Sequence, residues 1–151
     1  MIYNKNRHKE LVKRFLDLKH QGKTLFEENQ NEHFELRQYE IAVWEQVYWT
    51  HRRKFVSIIK DFIADRINFD EFETSFSSLC YKVNNECNKF QTNLQQIETF
   101  QPSKRTYSFA NSMSAINRTL DEVLDEMCTE QDLKNYVNKT YVELQNYLKE
   151  E

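Results

Sequence analysis

Six carboxylates crowd one short stretch of this chain: Asp121, Glu122, Asp125, Glu126, Glu130 and Asp132, with no Lys or Arg between Arg118 and Lys134. The chemistry such a run can do is electrostatic recognition of a basic partner, because complementary charge raises both the rate and the specificity of encounter. Asp121, Glu122, Asp125, Glu126 and Glu130 are the partner-binding candidates on that reading. The same residues also read as a solvated acidic face, helped at Glu130 and Asp132 by the start of a following helix. On one helix, Asp121 and Asp125 are a like-charged i,i+4 pair, as are Glu122 and Glu126, each destabilising by roughly 0.2–0.5 kcal/mol. Asp125 and Glu126 also fall in the last turn, where the helix dipole disfavours negative charge.

The opposite chemistry is offered by His51-Arg52-Arg53-Lys54, the one compact basic cluster, with Trp44, Tyr48 and Trp49 one to two turns before it. Single-strand binders combine aromatic platforms with a long basic groove. Here the cluster is short, and the aromatics are mostly accounted for by a helical seam. Together with a basic first helix, the cluster supports an alternative reading as a nucleic-acid-associated helical protein. A third is a structural subunit of a larger assembly. His51 lies on the seam and reads as a core histidine satisfied by a polar neighbour.

Cys80, Cys87 and Cys128 are odd in number and lack paired metal-ligand spacing, so they read as core thiols of a reducing compartment. No nucleophile motif or Glu-x-x-His pair of a di-metal bundle appears, and a single glycine excludes phosphate-binding glycine loops. The expectation is a non-enzyme without catalytic residues, metal or cofactor.

A chain of 151 residues is expected to form one domain over 1–151. One glycine and one proline leave too little turn chemistry for a sandwich or barrel, so the composition indicates an all-α fold. No apolar run approaches the length of a membrane span, and no secretory h-region opens the chain. The sequence therefore reads as a soluble protein of the cytoplasm, or of an organelle stroma, with no membrane partner. The net charge of −3 argues against a general nucleic-acid binder. The charge is uneven: residues 1–66 carry 13 Lys/Arg against 10 Asp/Glu, and residues 67–151 carry 8 against 14.

The elements that must position these groups follow from periodicity. Phe72, Phe76, Leu79, Val83, Cys87, Phe90, Leu94 and Ile97 recur every three or four residues and line one face of a long helix. Asn68 with Glu71 forms a capping box, Ile67 with Phe72 a hydrophobic staple, and Pro102 ends the helix by Gln101. Before it, Ile41, Trp44, Tyr48, His51, Phe55, Ile58 and Phe62 give one helix from about 32 to 65. Leu11, Phe15 and Leu18 give a basic first helix, closed by Gly22, and Thr24 with Glu27 forms a capping box for a short restart at Leu25 and Phe26. Ser103 to Asn111 reads as a loop, followed by a helix with Ile116, Leu120, Val123, Leu124 and Met127 on one face. Thr129 with Asp132 opens the last helix, lined by Leu133, Val137, Tyr141, Leu144 and Leu148. The expected architecture is a single antiparallel bundle of about five helices, near 8–20, 33–65, 69–100, 114–127 and 130–148. The helix over 69–100 is its centre, and residues 1–31 form a basic helix and connection at its periphery.

The stretch from Phe55 to Phe72, with Phe62-Ile63 leading through Asp65-Arg66 to Ile67-Asn68 and then Glu71-Phe72, resembles the helix–turn–helix of the colicin D immunity-like family. Met127-Cys128-Thr129-Glu130-Gln131-Asp132-Leu133-Lys134 is similar to that family's acidic turn before its final helix, and the match spans about residues 53–148. Asp65-Arg66 stands where the family has glycine, and residues 1–52 have no counterpart in it. The resemblance implies a helical bundle whose acidic surface covers the basic active site of a tRNA-cleaving toxin domain, imitating nucleic acid.

Overall fold

The computed structural model describes residues 2–92 and 100–149, except the side chains of residues 90–92. The described residues form seven helices and no strand: α1 (Lys5–His20), α2 (Leu25–Glu28), α3 (Gln30–Thr50), α4 (Arg52–Ile63), α5 (Phe69–Thr92), α6 (Lys104–Leu124) and α7 (Glu130–Leu148). The all-α expectation holds, but three boundaries differ from those read in the sequence.

The single helix expected over 33–65 is broken at His51. There the carbonyls that would bond the next turn are already satisfied. His51 N–H donates to Tyr48 O, Thr50 Oγ1 to Val47 O and Arg52 Nη1 to Trp49 O, while a new ladder starts from His51 O. His51 Nε2 is meanwhile held 2.7 Å from Glu86 Oε2 of α5. Capped ends and a distant carboxylate together break the helix.

The expected loop over 103–111 is instead the first half of α6. Ser103 Oγ accepts from Thr106 N, and Thr106 Oγ1 accepts from Ser103 N, a reciprocal cap. Thr106, Phe109, Met113, Ile116 and Leu120 then continue one fully or nearly buried face. That helix stops at Leu124, not at Met127, so Met127 leaves the apolar face and is 75% exposed. Phe15 and Ile41, assigned by spacing to apolar stripes, are 41% and 48% exposed.

The hub also differs. Among the described residues, α3 packs closely against α1, α2, α4, α5 and α6, and α5 against α3, α4 and α6, so α3 is the more central of the two there. The seam of α5 is buried from Phe72 through Phe76, Leu79 and Val83 to Cys87. The assigned side chain of Phe90, residues Leu94 and Ile97, and the helix's course over 93–99 lie outside the described residues. Packing centres on Phe55, whose ring contacts those of Tyr48, Phe76 and Phe109, while Phe62 stacks on Phe72 at 4.1 Å.

Helix ends repeat one device. After α1, α4 and α6 the chain turns through a left-handed residue, Gly22 at φ 71°, Asp65 at φ 57° and Glu126 at φ 60°. The amide after each reaches back to the carbonyl five residues earlier: Lys23 to Leu18, Arg66 to Asp61 and Met127 to Glu122. Three residues beyond Asp65 and Glu126 stand the caps Asn68 and Thr129, each in a reciprocal box with Glu71 and Asp132. The α4–α5 and α6–α7 connections are thus the same turn, built twice without glycine.

Two stability measurements test this account. Phe76 is 0% exposed, so Phe76→Ala is expected to cost about 3–5 kcal/mol in urea denaturation; a near-neutral change would contradict the packing. A left-handed conformation costs a side-chain-bearing residue about 1–2 kcal/mol. Glu126→Gly should therefore raise stability, by about 0.5–1 kcal/mol after the unfolded chain's gain in freedom. Asp65→Gly should gain less, because it also removes the Lys134 ion pair.

Candidate partner-binding surface

The five candidate carboxylates gather where α6 ends and α7 begins. Asp121 and Glu122 occupy the last turn of α6, Asp125 is its C-cap, Glu126 is the left-handed residue and Glu130 opens α7. Asp121, Asp125, Glu126 and Glu130 are exposed and Glu122 is half-buried. Because α6 stops at Leu124, Glu122 and Glu126 are not an i,i+4 pair on a helix. Asp132 serves a local purpose: Thr129 N–H donates to its Oδ2 at 2.9 Å, and that bond holds its carboxyl below the usual range.

None of the five candidates forms an ion pair with a described residue. Several basic side chains that could neutralise them are engaged elsewhere. Arg7 forms a two-pronged bond to Glu35 of α3, through Nε at 2.8 Å and Nη2 at 3.0 Å, and Arg14 reaches Glu32 at 3.0 Å. Arg105 lies over Trp49, 4.8 Å from the ring centre. Lys134, the cation next along α7, bonds Asp65 and lies over the Phe62 ring. This contact joins the α4–α5 turn to the first turns of α7, and a groove lined by Asp65, Asn68, Phe69 and Glu130 runs between them.

Apolar side chains stand within the acidic patch. Leu124 is 56% exposed beside Asp125, and Met127 follows Glu126. Acidic groups around exposed apolar side chains match the rim and centre of a protein–protein interface. The sequence pattern missed this because it placed Leu124 and Met127 on the buried face. It also missed Asp65, which joins the patch only through the fold.

The basic cluster at 51–54 is divided between internal contacts and solvent. His51 turns to Glu86, and the Arg52 guanidinium lies 4.5 Å from the Trp49 ring centre. Arg53 and Lys54 remain exposed. Two thiols lie in the interior: burial pushes Cys80 up to about 11 and Cys87 up to about 12, whereas Cys128 is half-buried. Among the described residues, no group of three His, Cys, Asp or Glu side chains is placed to hold a metal ion, and no helix is long and apolar enough to cross a membrane.

One titratable residue that the sequence did not single out is His8. It is fully buried, its Nδ1 lies 2.8 Å from Tyr3 Oη, its ring stacks on Tyr39, and Tyr3 in turn stacks on Phe100. Nε2 has no partner among the described residues. Burial lowers the pKa of His8 to about 4, so folding favours the neutral ring. Stability from this group is complete above its unfolded value near 6.5 and falls as pH drops from there toward 4. Urea denaturation should find the protein less stable at pH 5 than at pH 7, by up to about 2 kcal/mol through His8. His8→Phe should reduce that slope, and an unchanged slope would show that the ring does not stay neutral.

Compared with known proteins, the chain matches no family model, no curated protein and no solved structure.

Proposed function

We propose that the chain is a non-enzymatic binding protein of the immunity type, which masks a basic site on a nuclease toxin domain or a similar basic partner with its α6–α7 turn. The observation that carries this reading is the set Asp121, Asp125, Glu126 and Glu130, exposed and without ion pairs to described residues, around exposed Leu124 and Met127. Carboxylates left in water steer a cationic surface toward them, and the apolar side chains supply the contact that slows dissociation. A nuclease site that binds phosphates through Lys and Arg is complementary to such a patch. The resemblance of residues 53–148 to colicin D immunity-like proteins points the same way.

The rival nucleic-acid reading is weakened by where the cations go. Arg7, Arg14 and His51 face carboxylates of their own chain, and Arg52 lies on Trp49.

The test is association with a tRNA-cleaving toxin domain of the colicin D type, followed by surface plasmon resonance and by inhibition of tRNA cleavage. The chain should inhibit stoichiometrically. Asp121→Lys with Asp125→Lys should slow association by about tenfold or more at low salt while leaving the melting temperature nearly unchanged. Absence of binding to this domain and to other basic domains, together with micromolar, steeply salt-dependent binding to tRNA, would replace this reading with the nucleic-acid one.

A further inference from the structure

The fold divides the basic run that opens α4 and reunites part of it with cations from further along the chain. Arg53, Ser57 and Lys60 recur at helical spacing on one side of α4, and Arg66, in the turn that follows, borders the same side. With Arg52, they line a cleft of about 310 Å3, with Val56 and with Leu148 from the last turn of α7 as its apolar wall. Among the described residues, Asp61 is the one carboxylate on this wall, and it is already engaged: Arg66 Nε donates to its Oδ1 at 2.8 Å. That bond fixes the Arg66 guanidinium beside the cleft. Among the described residues Arg53 and Lys60 have no carboxylate partner, so the described lining carries net positive charge.

Like charges repel, and gathering Arg53, Lys60 and Arg66 around one concavity is unfavourable until an anion enters it. We infer that this cleft binds the phosphate group of a small organic phosphate, with the carbon part of the ligand against Val56 and Leu148. Arg and Lys donors with a hydroxyl beside them match the oxygens of a phosphate dianion, and charge-assisted bonds of this kind are the stronger ones. A cleft at the small end of ligand-site volumes takes a phosphate with a ring-sized attachment, not a long polymer. The site is formed by α4, Arg66 and the end of α7, shares none of the candidate carboxylates and has the opposite charge. The inference therefore stands independently of the proposed function.

Calorimetric titration of the full chain and amide chemical-shift mapping, with phenyl phosphate and inorganic phosphate as probes, decide the matter. Phenyl phosphate should bind, move the amides of Arg53, Ser57, Lys60, Arg66 and Leu148, and bind several-fold more tightly than inorganic phosphate. Lys60→Gln should weaken binding about fivefold or more, and Arg53→Gln with Lys60→Gln should abolish it without lowering the melting temperature. Equal affinity for the two probes would overturn the assignment of an organic phosphate. Shifts spread equally over the lysines of α1, binding that survives the double substitution, or binding of a single-stranded oligonucleotide with none of phenyl phosphate would overturn the site itself.

Discussion

Four helices meet at one ring. Phe55 opens α4 fully buried and touches Tyr48 of α3, Phe76 of α5 and Phe109 of α6. In an unbroken helix, residues seven apart are separated by about 10.5 Å along the axis. Tyr48 and Phe55 are seven apart, yet their rings stack at 5.4 Å and within 11° of parallel. The interruption at His51 makes that approach possible, which is why the histidine's bond to Glu86 matters beyond its own strength. Aromatic contacts of this kind add about 0.5–1.5 kcal/mol each to the area they bury. They also fix rotation, so the direction in which α4 presents Arg53 and Lys60 is set by the same ring that closes the core.

The electrostatics follow from the same packing. The N-terminal half is basic by composition, but α1 lies on α3 and two of its arginines are met by Glu32 and Glu35. The acidic half has no such arrangement. Lys134 crosses to Asp65, and Asp121, Asp125, Glu126 and Glu130 face water without an ion pair to a described residue. A formal charge of only −3 therefore conceals a molecule with one basic cleft and one acidic end.

What the sequence disclosed was local. Asn68 with Glu71, Thr129 with Asp132 and Gly22 as a left-handed terminator are each written within a few residues, and each appears as read, while of the box read at Thr24 and Glu27 the bond from Glu27 N–H to Thr24 Oγ1 is present. The buried seam from Phe72 to Cys87 is equally local. The break at His51 was not legible, because it depends on Glu86, thirty-five residues away. The start of α6 was obscured by Ser, Thr, Asn and Tyr, which resemble a loop until the Ser103–Thr106 cap and the spacing Phe109, Met113, Ile116 are taken together. Met127 was misplaced because nothing marks Glu126 as left-handed when glycine is missing. The candidate carboxylates were visible as a run; their lack of partners depended on where Arg7, Arg14, Arg105 and Lys134 came to rest.

The thiols give the molecule a built-in report of its own breathing. Cys80 and Cys87 lie on the face of α5 that meets Tyr48 of α3, both almost fully buried and both held well above the ordinary thiol range. A thiolate is the reactive species, so neither can be alkylated while α5 lies against α3. Their modification rate then measures how often those two helices part, the event that would also release the Tyr48 hydroxyl from Asn84. Cys128, half-buried beside the acidic turn, lies outside that constraint and can carry a label there while the core remains closed.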